Sequence, residues 1–273
     1  MTNKKFVEIE KVIGNKNPGI LRWIPSFLLS YVKRIAHETE VNDIMARNDN
    51  LKELAFVNAL IKEFGMEIEV THEENIPLDG AVIFASNHPL GGLDGIVLMH
   101  VLGAFREDLR FLVNDVLMNI PNFGKLFVPV NKHGGHGKRG VELIEETYAS
   151  DNGVIIFPAG LVSRKQETGI KDLEWKKSFI NKAKRYKKDV VPIYIEGRNS
   201  SFFYNLANLR KKLGVKANIE MFYLADEMFA QKNKKIVVHI GKPISYKYFD
   251  ASKTDKYWAE EVRNIVYNIV QDK

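Results

Sequence analysis

From Pro77 onward the chain repeats one pattern, a short run of β-forming residues followed by a helical or polar stretch. The runs are AVIFA (81–85), FLV (111–113), LFVPV (126–130), GVIIF (153–157), VVPIYI (190–195), IEMFYL (219–224) and KIVVHI (235–240). Several are apolar throughout, as strands covered on both faces are. Helical spacing separates most of them, notably over 141–148 and 173–186. A last helix would set Trp258, Val262, Ile265, Val266 and Ile269 on one face. Such alternation predicts an α/β fold with a mixed, largely parallel central sheet flanked by helices. At 273 residues the chain can form one large α/β domain, or a core domain with a helical extension.

The first 75 residues read as that extension, dividing the sequence into 1–75 and 76–273. Asn50 and Glu53 form a capping pair, after which Leu54, Val57, Ile61 and Phe64 recur at helical spacing before Gly65. Upstream, ILRWIPSFLLSYVKRI (20–35) sets Trp23, Phe27, Leu28, Leu29 and Tyr31 beside Arg22, Lys33 and Arg34. A basic segment with an aromatic apolar face suits a helix lying in a membrane interface, and equally one packed on its own domain.

Composition narrows the chemistry. There is no cysteine, so disulfides, thiolate metal sites and a cysteine nucleophile are excluded. Forty Lys and Arg against thirty-four Asp and Glu leave a formal charge of +6, which suits phosphates, acidic carrier proteins or anionic lipid. The basic run KKSFINKAKRYKK (176–188) reads as a solvated helix face. MTNKKFVEIE lacks the apolar core of a signal peptide. The stretch 80–105, which contains no Lys or Arg, holds Asn87, His88, Pro89, a Gly-Gly pair and Asp94 near its middle. A lipid-spanning helix tolerates these poorly, so the stretch reads as buried strand, loop and helix.

That stretch contains ASNHPLGGLDG (85–95), between an apolar strand and an apolar helix. His88 would stand at the carboxyl end of a strand, where open α/β sheets place their sites. Asp94 would open the next helix, favoured there by the helix dipole. With Gly91 and Gly92 allowing a tight excursion, a carboxylate could bond one imidazole nitrogen and leave the other as a base. General-base help is worth roughly 10²–10⁴ in rate. Spacing alone equally allows a helix-capping Asp and an unrelated loop His. A zinc site lacks a third ligand of matching context.

SNHPLGGLDG resembles the signature of the glycerophosphate and lysophospholipid acyltransferases, N-H-x(4)-D, with one extra residue between His88 and Asp94. The longer form is similar to the hemolysin-like branch of that family. FVPVNKHGG (127–135) resembles the second block, with Lys132 where an arginine is usual. IIFPAGLVSR (155–164) resembles the third, with Ala159 in place of its glutamate and Arg164 two residues late. VVPIYIEGRNS (190–200) and KIVVHIGKPI (235–244) resemble the fourth block and the closing strand-and-turn.

The resemblance implies a glycerolipid-acyltransferase fold and direct acyl transfer without a cofactor. His88 would deprotonate an acceptor hydroxyl, Asp94 would hold His88, and backbone N–H groups near Gly160, with Arg164, would stabilise an oxyanion or phosphate. Lys132 and Arg164 would bind the acceptor's phosphate, with Asn87 and Arg198 also at the substrate. The implied partners are an acyl-CoA or acyl-carrier-protein thioester, a lysolipid acceptor such as 1-acylglycerol-3-phosphate, and an anionic membrane surface. A peripheral position on the cytoplasmic face follows. The missing glutamate makes an amino-acid-containing lyso-lipid the alternative acceptor.

Two rivals remain. GHGKRG (135–140) matches G-x-G-x-x-G, but no acidic residue follows at the distance a dinucleotide ribose needs. His133 and His136 read as loop residues. A non-enzymatic, hemolysin-like membrane-binding protein would explain the basic aromatic segment but not the ordered blocks. Nucleic-acid binding would rest on net charge alone.

Overall fold

The computed structural model describes residues 5–16, 18–114, 118, 120–130 and 137–270. Its strands are β1 (Glu67–Thr71), β2 (Val82–Ser86), β3 (Leu109–Val113), β4 (Phe127–Pro129), β5 (Gly153–Ile156), β6 (Arg164–Gln166), β7 (Gly169–Lys171), β8 (Asp189–Ile195) and β9 (Lys235–Ile240). Seven form one sheet in the order β1-β9-β8-β2-β5-β3-β4, while β6 and β7 pair as a small antiparallel hairpin. Within the large sheet β8 and β9 are antiparallel and the other five pairings are parallel. The expected mixed, largely parallel sheet is therefore the one formed.

β2 is the fourth of the seven strands and is buried along its whole length, which its apolar sequence VIFAS permits. A five-residue loop leads from it into α6 (Gly92–Gly103), whose sequence GLDGIVLMHVLG is apolar on nearly every side. Such a helix is stable only when covered all round. Leu93, Val97, Leu98, Met99 and Leu102 accordingly join the main core with Phe84, Phe111 and Val191. Truncating one of these side chains to Ala would cost about 2–5 kcal/mol. The opposite face of the sheet packs Trp175, Phe179, Ile180, Trp258 and Val262, from α8 (Ser178–Tyr186) and α11 (Asp255–Asn268) with the segment before α8.

Five helices precede the sheet: α1 (Ile9–Lys16), α2 (Pro18–Trp23), α3 (Ser26–Ile35), α4 (Glu38–Arg47) and α5 (Glu53–Glu63). The helical reading of 1–75 stops there, because Glu67–Thr71 is a strand. EIEVT alternates charged and apolar residues, as an edge strand with one face in water does. β1 pairs with β9 in register, Glu67 opposite Lys235. The capping pair fails as well. No side chain caps α5, and the Glu53 carboxylate instead accepts the Lys125 N–H at 3.2 Å.

A second correction concerns IEMFYL. Ile219–Tyr223 is a 3-10 helix running into α10 (Leu224–Phe229). Short apolar runs do not distinguish strand from buried helix, and here Glu220 is fully buried between two arginines. The helical reading of 173–186 holds only from Ser178. Ahead of it, Trp175 and Lys176 are tied to Asp172 and Pro158. Helix α9 (Ser201–Lys212), capped by Ser200 accepting from Phe203 N–H, carried no signal strong enough to place it. In GHGKRG, Gly137–Gly140 are the first turn of α7 (Gly137–Ala149). Lys132, His133 and His136 lie outside the described residues.

Candidate active site

β2 ends at Ser86, and the next eight residues bring the expected pair together. His88 Nδ1 lies 2.8 Å from Asp94 Oδ2, and the Leu90 N–H donates to the same oxygen at 2.8 Å. Gly91 makes the return possible. Its φ of +76° lies in the left-handed region, and an added Cβ would meet Leu224 Cδ2 at 3.2 Å. Asp94 then enters the first turn of α6, with its own N–H donating to the Gly91 carbonyl at 3.0 Å.

The two partners differ in exposure. Asp94 is fully buried, while the His88 side chain is 16% exposed. Burial pushes the Asp94 carboxyl above its ordinary range, and the charge of Asp172 adds to the rise. The His88 bond and the Leu90 N–H pull the other way. A carboxylate of raised proton affinity draws strongly on the Nδ1–H, which fixes the tautomer and leaves Nε2 as the basic nitrogen. No hydrogen-bond partner of Nε2 occurs among the described residues.

The imidazole is also clamped from its face. It stacks on Phe157, with ring centroids 4.1 Å apart and 10° between planes, and Phe111 meets Phe157 edge-on at 5.5 Å. Gly95 leaves room for that edge, since an added Cβ would sit 2.4 Å from Phe111 Cε1.

Asp172 is a further member of the site that local sequence signals did not reveal. It is fully buried, and its Oδ1 accepts the His88 N–H at 3.2 Å and the Ser163 hydroxyl at 2.6 Å. Its Oδ2 accepts Trp175 Nε1–H at 2.9 Å. Ser163 N–H in turn donates to the His88 carbonyl at 2.8 Å. Asp172 lies 84 residues from His88, so no spacing rule could have joined them.

The remaining expected residues fare unevenly. Asn87 is buried, and its amide is taken on both sides by Ile195, donating to the carbonyl at 2.9 Å and accepting from the N–H at 2.7 Å. It latches the loop to β8 and is itself buried. Gly160 donates its N–H to the Phe157 carbonyl at 2.9 Å, so that N–H cannot serve an oxyanion. Lys176 Nζ stands over it, 2.6 Å from where a Cβ would be.

Arg164 is a clear correction. It is 1% exposed, bonded to Glu220 Oε1 at 2.9 Å and to the Val162 carbonyl at 2.7 Å, with Phe203 under its guanidinium. Arg210 holds the other side of Glu220. Burial alone would raise the Glu220 carboxyl, but the Arg210 bond, its own backbone and both guanidinium charges hold it below the usual range. A buried carboxylate claims its arginines, because leaving it unpaired costs several kcal/mol. Arg198 is exposed on the loop after β8, next to Gly197, whose backbone lies against Leu90 of the His88 loop. Lys132 falls outside the described residues.

A loop-borne base, oriented by a buried carboxylate at the end of a central strand, is equipped to take a proton from a hydroxyl. A sequence model described as acyltransferase matches residues 11–272. The chain belongs to the acyltransferase family. This acyltransferase is 45% identical over 265 residues to the lyso-glycine lipid O-acyltransferase of Bacteroides thetaiotaomicron, the match spanning 97% of both chains. It is 44% identical to the protein of the same name from Phocaeicola vulgatus, over 97% of its own length and 95% of the relative's. Among solved structures it is similar to the 1-acyl-sn-glycerophosphate acyltransferase of Thermotoga maritima. That match has a TM-score of 0.45 and 17% identity, and covers 90% of this chain and 92% of the other.

Proposed function

We propose that the enzyme O-acylates a lyso-lipid whose headgroup is an amino acid, glycine in the first instance. His88 Nε2 takes the proton from the acceptor hydroxyl as its oxygen attacks the carbonyl of an acyl thioester. The C–O ester bond forms, the C–S bond breaks, and the departing thiolate recovers the proton from His88. Asp94 holds the imidazole and stabilises its cationic form. The donor is acyl-CoA or acyl-carrier protein, and no cofactor takes part.

The observation that carries this reading is the 2.8 Å contact between a rim-exposed His88 and a fully buried Asp94. The choice of acceptor is supported by the two relatives named for a lyso-glycine lipid, aligned over nearly the whole chain. It is supported also by Arg164, whose guanidinium is spent on Glu220 and is not free for an acceptor phosphate. Arg198, exposed beside the His88 loop, is the cation we assign to the acceptor's carboxylate.

We further propose that the enzyme works peripherally, on the cytoplasmic face of an anionic membrane. Trp23 and Phe27, 87% and 74% exposed beside Arg22 and Arg34, support that placement. Among the described residues no helix is long and apolar enough to cross a membrane.

The test gives purified enzyme acyl-CoA and acyl-carrier-protein donors with a lyso-glycine lipid and lysophosphatidate side by side, and identifies products by mass. A diacyl glycine lipid is expected. Acylation of lysophosphatidate alone would overturn the acceptor, and no transfer from either donor would overturn the activity.

A further inference from the structure

Two stretches of the chain, 11–37 and 197–219, contain no Asp or Glu. Together they hold ten Lys and Arg, whereas the rest of the chain has thirty Lys and Arg against thirty-four Asp and Glu. The net positive charge of the protein therefore resides in these two stretches, and the remainder is slightly acidic.

The two stretches are joined through Tyr223, which belongs to neither. Tyr31 and Tyr223 hydroxyls are 2.7 Å apart, their rings meet edge-on, and Phe202 packs edge-on against Tyr223 with centroids 4.9 Å apart. Behind this seam His37 stacks on Phe229 and bonds Asp226 at 2.9 Å, which fixes α3 and α4 against α10. The N-terminal helices are thus both packed on the domain and left with an open aromatic side.

Helix α9 presents the same duality. Phe203, Tyr204 and Ala207 are buried, yet Phe202, Leu206, Leu209 and Leu213 form a second apolar stripe at i, i+4, i+7 and i+11. Leu213 is 70% exposed and Phe222, on the adjoining 3-10 helix, is 53% exposed. Of fifteen exposed large hydrophobic residues among those described, nine lie within 23–31 and 202–222. Single exposed apolar residues are ordinary, but a joined set rimmed by charge marks a binding face. Lys211, Lys212 and Lys216 supply that rim and are all exposed.

We propose that Phe202, Leu209, Leu213 and Phe222, joined through Tyr223 and Tyr31 to the helix that carries Phe27, form a two-part docking face with the exposed Trp23 and Phe27 for an anionic lipid surface. Aromatic and Leu side chains enter the acyl boundary while the lysines meet lipid phosphates. The face lies beside the chemistry. Leu224, two residues after Phe222, packs on Gly91 in the His88 loop, and Glu220 on the same segment anchors Arg164 next to Ser163. A lyso-lipid rising from the bilayer at this face meets the loop that carries the base.

The proposal rests on the lyso-lipid reading above, but vesicle partition needs no turnover, so the two can fail separately. Full-length protein is mixed with phosphatidylcholine vesicles, with and without phosphatidylglycerol, and the bound fraction is measured by flotation. Leu209→Ser, Leu213→Ser and Phe222→Ser combined should weaken partition by at least about tenfold. Turnover of a detergent-dispersed acceptor should stay unchanged, and a thermal melt checks the fold. Lys211→Glu with Lys212→Glu, which leaves the apolar stripe intact, should abolish the preference for phosphatidylglycerol. Wild-type partition by either variant overturns the proposal. So does a sedimentation result in which the serine variant loses self-association while keeping vesicle binding, since the face would then belong to a second copy of this chain.

Discussion

His88 and Arg164 begin almost side by side, because the main chain of Ser163 is bonded to that of His88, and they end in opposite environments. The imidazole reaches the rim, with one nitrogen held by a buried carboxylate and the other open. The guanidinium is sealed away against Glu220, which Arg210 already holds from the other side. Both are charged-capable groups beside a carboxylate. Exposure separates what each can do: an imidazole with one accessible face is able to exchange a proton with a substrate, whereas a sealed ion triad fixes the positions of the segments it joins.

Four substitutions test that contrast. His88→Ala should lower kcat by about 10²–10⁴ with an unchanged melting temperature. Substantial residual turnover would remove His88 from the chemistry. Arg164→Ala should do the reverse, costing about 3 kcal/mol of stability in denaturant unfolding while activity per folded molecule persists. If it instead abolished turnover without loss of stability, the two regions would not differ as described.

Asp94→Asn should lower kcat by about a hundredfold, and its effect on stability should depend on pH. The raised proton affinity of Asp94 means that the neutral carboxyl stabilises the fold fully below the unfolded value of about 3.9. That contribution is lost as pH rises through the higher folded value. Asn carries no charge to bury, so the variant should gain melting temperature relative to wild type as pH rises from acid to neutral. A gap that narrows over that range would contradict the burial argument. Asp172→Asn should have the smallest effect. One of the donors His88 N–H, Ser163 Oγ–H and Trp175 Nε1–H would face an amide N–H, at a cost of about 1–3 kcal/mol. The accompanying fall in kcat should be milder than that of Asp94→Asn.

The parts of the fold visible in the sequence were those written locally. β2, the glycine-bearing return and the apolar α6 are contiguous, and each step has its own residue signal, so the position of His88 and its meeting with Asp94 could be expected. The segment Ile219–Tyr223 could not, because its conformation answers to Glu220 and to arginines ten and fifty-six residues away. Asn87 shows the same limit on a smaller scale. It lies in the most recognisable motif of the chain, and its role is set by Ile195, 108 residues on. β1 was missed because EIEVT is half charged, and alternation over five residues weighs little beside the helical periodicity before it.

That edge strand has a consequence in time. β1 pairs with β9 across 168 residues of sequence, Thr71 meeting His239 through a 2.8 Å side-chain bond. A ribosome adding about 5–20 residues per second needs roughly 8–34 s to supply the partner. For that interval the strand has no ladder to join, and the five helices that precede it have no finished sheet to lean on. The helices ahead of β1 are thus made well before the sheet they lean on is closed, so newly made chains should be most prone to aggregation while β9 is still to come.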